Sequence, residues 1–348
     1  MGDSFGVYLL RRLLFAIPTL VAISFFTFIL LGAWLNPLWR VGVFNCPKHG
    51  YTVHCTPGYL HILHAYHLND HLVARWWFWG KGVFSGASAY PVIGTTHFGT
   101  VDVNNHLPQY RIWPQVWTAL AHTAVLIGLA LLVVLIFSIA LGVLAARRPG
   151  SIQDVTVRTA AYSTWSIPAF LLALLLQELF ARLSIAYGWR PFFLEGIPGG
   201  EAGTGFHFVL DWLQHLTLPV LALAVGFVGA YSRYVRSAML VSLNAPYTVA
   251  ARAKGLTERH LTFHALRNSL IPFVNVLALD FGTIFGASLA VDFVFKLHGI
   301  ASYLVQGLFD SDPYEIEPIV LVAAGVVLLS RIAADVATNR LDPRTRLT

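Results

Sequence analysis

Six stretches of this 348-residue chain are apolar and long enough to cross a lipid bilayer, and no other feature narrows its fold as far. A spanning helix needs about 20 mostly apolar residues. The stretches lie at roughly 12–35, 117–145, 161–183, 209–235, 269–294 and 316–338. Inside a bilayer every backbone N–H and C=O must find its partner within the segment, which a helix provides. The expectation is an all-α membrane protein with six transmembrane helices. Composition agrees, since 11% of the residues are charged against about 25% in a soluble domain. The first apolar run follows Arg11 and Arg12 and is too long for a signal-peptide core. It reads as an uncleaved anchor.

The net charge of +6 does not point to nucleic acid, because the basic residues sit in short segments between the apolar runs. Residues 146–158, 232–268 and 339–348 hold Arg147, Arg148, Arg158, Arg233, Arg236, Arg252, Lys254, Arg259, Arg267, Arg340, Arg344 and Arg346. The two short loops on the other side hold little beyond Arg190 and Lys296. By the positive-inside rule the basic segments and both termini face the cytoplasm. Membrane lipid is then the expected surroundings, and no nucleic-acid partner is expected.

The chain divides into a start and first helix (1–35), an extracytoplasmic subdomain (36–112), a five-helix core (113–338) and a cytoplasmic tail (339–348). A segment as long as 36–112 is no simple turn. Its run RWWFWGKGVF reads as interfacial anchoring by amphipathic rings. The cysteines, Cys46 and Cys55, both lie here, and on the oxidising side of a membrane a disulfide between them is expected. Eight of the fourteen histidines also lie here, but without ligand spacing on a defined element they read as solvated loop residues, so no metal site is expected.

The most informative segment is the cytoplasmic loop 240–268, within it NAPYTVAARAKGLTERHLTFHALRN. Pro246 suits the first turn of a helix, where its missing N–H costs nothing. Gly255 suits the left-handed position just past a helix end. Between them Tyr247, Ala250, Ala251, Arg252, Ala253 and Lys254 form a short helix with a small-residue surface and two cations for a partner's carboxylates; Leu256 follows. Thr257 is placed to cap a second helix, with Glu258 in its first turn. A short, small-faced helix projecting from a membrane domain is what a force-transmitting contact requires.

This segment resembles the EAA loop of ABC-importer permeases, in the dipeptide/oligopeptide/nickel branch. Tyr247-Thr-Val-Ala-Ala-Arg-Ala-Lys-Gly255-Leu256, then His264-Ala-Leu266-Arg-Asn268 and Pro272, follow that branch's pattern, with Val249 where the motif's name has Glu. LLRRLLFAIPTL (9–20), SIPAF (166–170) after Asp154, HLTLPVLAL (215–223) and the ending DPRTRL (342–347), like that of the B-type subunit, extend the likeness. Residues 87–111, the turn Lys296-Leu297-His298-Gly299 and Ser330-Arg331 depart from it.

The resemblance implies a type I ABC importer permease fold in a bacterial or archaeal plasma (inner) membrane. It also implies a second, homologous permease subunit forming a heterodimer, two ABC ATPase subunits and an extracytoplasmic substrate-binding protein. The chain contains no G-x-x-x-x-G-K-[ST] loop. It is therefore expected to be non-catalytic, with ATP and Mg bound by the partner ATPases and no cofactor of its own. Peptides are the substrates the branch implies; nickel and other small solutes stay open. A gradient-driven carrier would show repeated halves with broken helices and would leave the cytoplasmic loop unexplained. Asp280, within the fifth span, is a candidate pathway residue, because an intramembrane carboxylate is a functional candidate by default. Gly282 and Gly286 form a G-x-x-x-G pair of the kind that brings helices close.

Overall fold

The computed structural model describes residues 5–35, 48–49, 52–53, 70–84, 112–188, 190–198, 206–310 and 313–341. In chain order the elements are α1 (Phe5–Trp34), β1 (Lys48–His49), β2 (Thr52–Val53), α2 (Leu72–Phe84), α3 (Ile112–Arg147), α4 (Ile152–Trp165), α5 (Ala169–Tyr187) and α6 (Phe206–Leu243). There follow α7 (Pro246–Ala253), α8 (Glu258–Leu279), α9 (Phe281–Phe295), α10 (Ile300–Asp310) and α11 (Pro313–Leu341).

Five helices pass on length and apolarity as membrane spans: Leu10–Trp34, Trp113–Arg147, Ala169–Tyr187, Phe206–Leu243 and Ile316–Val336. The pair α8 and α9, bent by 53°, makes a sixth when counted as one broken span. Two expectations are corrected here. The third span begins at Ala169, because Pro168 bars a continuous helix over 161–183, and residues before the break belong to the separate helix α4. The fifth span breaks at Asp280, which ends α8 and starts α9.

The chain forms two compact units. One comprises His122–His298 with the stretch from Leu329 onward. Its centre is α6, 38 residues long, or about 57 Å, against about 30 Å for the hydrocarbon core of a bilayer. Helix α6 is therefore longer than an upright crossing of the apolar layer requires. Phe227, Tyr231, Val235 and Met239, four apart, make a buried stripe on it, and Leu261, Ala265 and Phe273 make one on α8, which packs along it. The other face of α6 receives α4, and α5 packs against α6 and α9. Gly286 has no atom within 4 Å of where a Cβ would stand, so the expected close packing of the glycine pair is not made there within the described residues.

The second unit comprises Asp3–Ala121 with Gly299–Leu328. Here α2 packs on α1: Trp76 Nε1 donates to Ser24 Oγ at 2.9 Å, and Phe28 and Trp79 are buried against each other. The aromatic run is thus only partly an interfacial anchor. Trp76 and Trp79 serve the packing, while Trp77 is exposed with the Lys81 ammonium over its ring. Glu317 is fully buried, its carboxylate beside the Ser24 side chain. The strands β1 and β2 pair antiparallel, Lys48 with Val53 and His49 with Thr52. Cys46, Cys55, residues 87–111 and the DPRTRL ending lie outside the described residues.

Candidate functional site

The loop between α6 and α8 folds as its residues dictate. Ala245 is extended, and Pro246 takes the first helical position of α7. At the other end Gly255 adopts φ +84. Its N–H donates to the Arg252 carbonyl at 3.0 Å and the Leu256 N–H to the Ala251 carbonyl at 3.3 Å. These two bonds are the paired closure of a Schellman motif, which satisfies carbonyls that a helix end would otherwise orphan.

Tyr247, Ala250, Arg252, Ala253, Lys254 and Gly255 are exposed, as is Val249; Ala251 and Leu256 are half-buried, and Thr248 is buried. The helix therefore presents a small-sided, basic surface outward and holds on by one residue. That hold is specific. Thr248 Oγ1 donates to the Ser242 carbonyl at 2.7 Å, and Ser269 Oγ donates to Ser242 Oγ at 3.0 Å. Ser242 thus ties α6, α7 and α8 together, a knot that sequence reading missed because serines near helix ends have many local uses.

Arg252 Nε donates to Glu258 Oε1 at 3.0 Å across the Gly255 turn. It is engaged within the chain, not held out for a partner alone. Thr257 stands at the N-cap of α8, as expected, but makes no side-chain cap bond; its hydroxyl meets His260 Nδ1 at 2.8 Å.

A second cluster lies two turns before the end of α6. Asp154, fully buried in the first turn of α4, accepts from Arg236 Nε at 2.6 Å and from its Nη2 at 2.8 Å. The Gly150 N–H donates to the same carboxylate at 2.9 Å, and Arg158 approaches within 3.4 Å. Ser151 caps α4 through Asp154's own N–H. The hydrogen bonds from Arg236 outweigh burial and hold the Asp154 carboxyl at about 2, well below its usual range.

Asp280 sits at the bend between α8 and α9, half-buried, with the hydroxyl of the buried Tyr231 donating to its Oδ2 at 3.2 Å. Tyr231 stacks on Phe227, which borders a cavity of about 170 Å³ between the α4–α5 break, α6 and α9. Lys296 and His298 both adopt left-handed backbone, at φ 51 and 52. Lys296 pairs with Glu195 at 2.7 Å, and Glu178 pairs with Arg182, one turn on, at 2.6 Å. Among the described residues no group of three or more His, Cys, Asp or Glu side chains converges as a metal site would require.

A bundle of apolar spans with an exposed short helix, closed at Gly255, on a basic loop defines a polytopic membrane protein. The chain belongs to the family described as binding-protein-dependent transport system inner membrane component, whose profile matches residues 138–347. It is similar to the oligopeptide transport system permease protein AppB of Bacillus subtilis, 28% identical over 346 residues covering 97% of this chain and 99% of that protein. It is also similar to the di/tripeptide transport system permease protein DppB of Pseudomonas aeruginosa, 32% identical over 68% of this chain and 73% of that one. The oligopeptide transport system permease protein OppB of Mycobacterium bovis is 35% identical over 60% of this chain and 65% of its own length. The chain is thus a type I permease subunit of an ABC importer, an inner-membrane transport component that works with ATPase and substrate-binding partners.

Proposed function

We propose that this subunit forms half of the translocation pathway for peptides, with a second, non-identical permease supplying the other half. The proteins named above as its relatives carry peptides or oligopeptides, which supports that substrate class. In this reading both termini and the 240–268 loop face the cytoplasm, residues 36–112 form an extracytoplasmic subdomain, and an extracytoplasmic binding protein delivers the substrate. ATP and Mg are held by two ATPase subunits.

The observation that carries the reading is α7: eight residues, started by Pro246 and closed at Gly255, exposed on its small-residue face and fixed to α6 and α8 through Ser242. Tyr247, Ala250, Ala251, Arg252, Ala253, Lys254, Gly255 and Leu256 form the contact with an ATPase, and Asp280 lies on the pathway. A mild-detergent pull-down of the tagged chain, with ATPase and labelled-peptide uptake assays on the reconstituted eluate, tests it. Recovery of a second permease and ATPase chains with peptide uptake is expected; a lone chain without ATPase activity would sink the reading.

The expected disulfide belongs to the same proposal. Lys48 pairs with Val53 and His49 with Thr52, and Cys46 and Cys55 lie in sequence two residues outside the outer of these pairs. Both thiols are expected to resist alkylation until a reductant is added. Labelling of the untreated protein at either cysteine would refute the bond.

A further inference from the structure

The cytoplasmic half of α6 is gripped from two sides by close backbone approach. A Cβ on Gly142 of α3 would stand 2.6 Å from the Cβ of Val235 and 2.8 Å from the Ser232 carbonyl. A Cβ on Gly229 would stand 2.7 Å from the Ala161 carbonyl of α4. Beyond that point Arg233 lays its guanidinium over the Tyr162 ring of α4, 4.5 Å from the centroid, and Arg236 grips Asp154 with two hydrogen bonds. From Arg236 the end of α6 at Leu243 is about 10 Å further on, and there the Ser242 knot takes hold of α7 and α8. Fork-to-carboxylate pairing fixes direction as well as distance, so α4 and α6 are held in register up to the Ser242 knot, where Thr248 holds α7.

Compliance is found elsewhere. Helix α4 ends at Trp165, Pro168 is extended at ψ 140, and α5 restarts at Ala169. Pro168 has no N–H to carry a helical bond across the break. Beside the break lies the cavity, bordered by Trp165, Ile167 and Pro168, by Leu223 and Phe227 of α6, and by Ala287 of α9. A closely packed interior resists displacement; an open cleft next to a chain break leaves room for one.

We propose that α4, the cytoplasmic half of α6 and α7, together with the ends of α3 and α8 that grip them, move as one lever, with Asp154 and Arg236 as its positioning residues and the Ser166–Pro168 break as its hinge. The proposal rests on reading α7 as the ATPase contact. When nucleotide shifts the ATPases, the lever carries the displacement past α7 to Trp165, where element-terminal residues absorb it, as hinges do. The Asp154–Arg236 pair contacts no substrate; it keeps α4 and α6 from sliding past one another.

The test uses the complete transporter in lipid nanodiscs, with Cys46→Ser and Cys55→Ser as background. Spin labels are placed at Ile152 on α4, Val241 on α6 and Leu179 on α5, all exposed. Double electron–electron resonance is read without nucleotide and in an ATP-trapped state. The 152–241 distance is expected to keep one narrow peak in both states, while the 241–179 distance shifts by several ångströms. Asp154→Asn is expected to lose the narrow 152–241 peak, and Arg236→Lys, which keeps one charged bond, to broaden it less. A 152–241 distance that shifts with nucleotide, or a 241–179 distance that does not, overturns the lever. Peptide uptake by Gly255→Asp, run in parallel, separates the two claims: blocked uptake leaves the ATPase contact standing, and normal uptake removes it along with the lever.

Discussion

Arg252 of α7 and Glu258 of α8 meet across the Gly255 turn at 3.0 Å, with half or more of each side chain in solvent. Exposed pairs of this kind contribute about 0.2–1 kcal/mol. Arg252→Ala is therefore expected to shift the detergent-solubilised protein's stability by about 0.5 kcal/mol or less. Any large fall in uptake by that variant then reports contact with another chain. Thermal melts and uptake measured on the same preparation separate the two.

Gly255 sets a sharper comparison. Gly255→Ala adds no clash, since no atom lies within 4 Å, but forces an L-residue to φ +84. The strain is about 1 kcal/mol, enough to weaken the turn while leaving insertion intact. Gly255→Asp adds a charge on the exposed surface and is expected to abolish uptake with normal membrane insertion. Uptake at the wild-type rate by the Asp variant would remove α7 from the coupling path.

Asp154 gives a pH-dependent prediction. Its carboxyl is lowered from an ordinary 3.8 to about 2 by Arg236. The stability it contributes is therefore complete above about pH 4 and lost as the pH falls through 2. Asp154→Asn is expected to flatten that acid limb in thermal melts. It should cost about 3 kcal/mol at pH 7, because a largely buried guanidinium loses its partner. Asp154→Leu combined with Arg236→Met should recover most of that loss. A double variant no more stable than the single would show that the pair's role in stability is not that of two mutually compensating charges.

Asp280 and Tyr231 are joined by a hydrogen bond from the Tyr231 hydroxyl to Asp280 Oδ2. Asp280→Asn keeps the size and the acceptor while removing the charge. If the charge serves the pathway, uptake by Asp280→Asn falls several-fold while Tyr231→Phe falls less. Equal, wild-type uptake from both would place the pair in structural packing at the bend.

The spans and the two ends of α7 were legible because they rest on local chemistry. Apolar length announces a span, and Pro246 and Gly255 are the residue types that a helix start and a left-handed stop select. Pro168 carried the signal for the α4–α5 break, and a continuous 161–183 span gave it too little weight. The bend at Asp280 has no such sign, since Pro272 lies two turns earlier and α8 runs through it. The Asp154–Arg236 pair joins residues 82 apart in sequence, and only the packing of α4 along α6 brings them together. A charge in a basic loop looks the same in sequence whether it is solvated or buried in a fork. Lys296 was read as one more loop cation, and its pairing with Glu195, 101 residues away, had no local cue.

The empty space around Gly255 has one more consequence. Neighbouring atoms do not limit the size of a side chain there, because none is within 4 Å; the limit is the positive φ. A left-handed backbone is uncomfortable for L-amino acids and comfortable for their mirror images. A D-alanine at this position would meet neither a clash nor a strained torsion. What the turn selects for is handedness, and glycine is present because it is the one genetically encoded residue that has none.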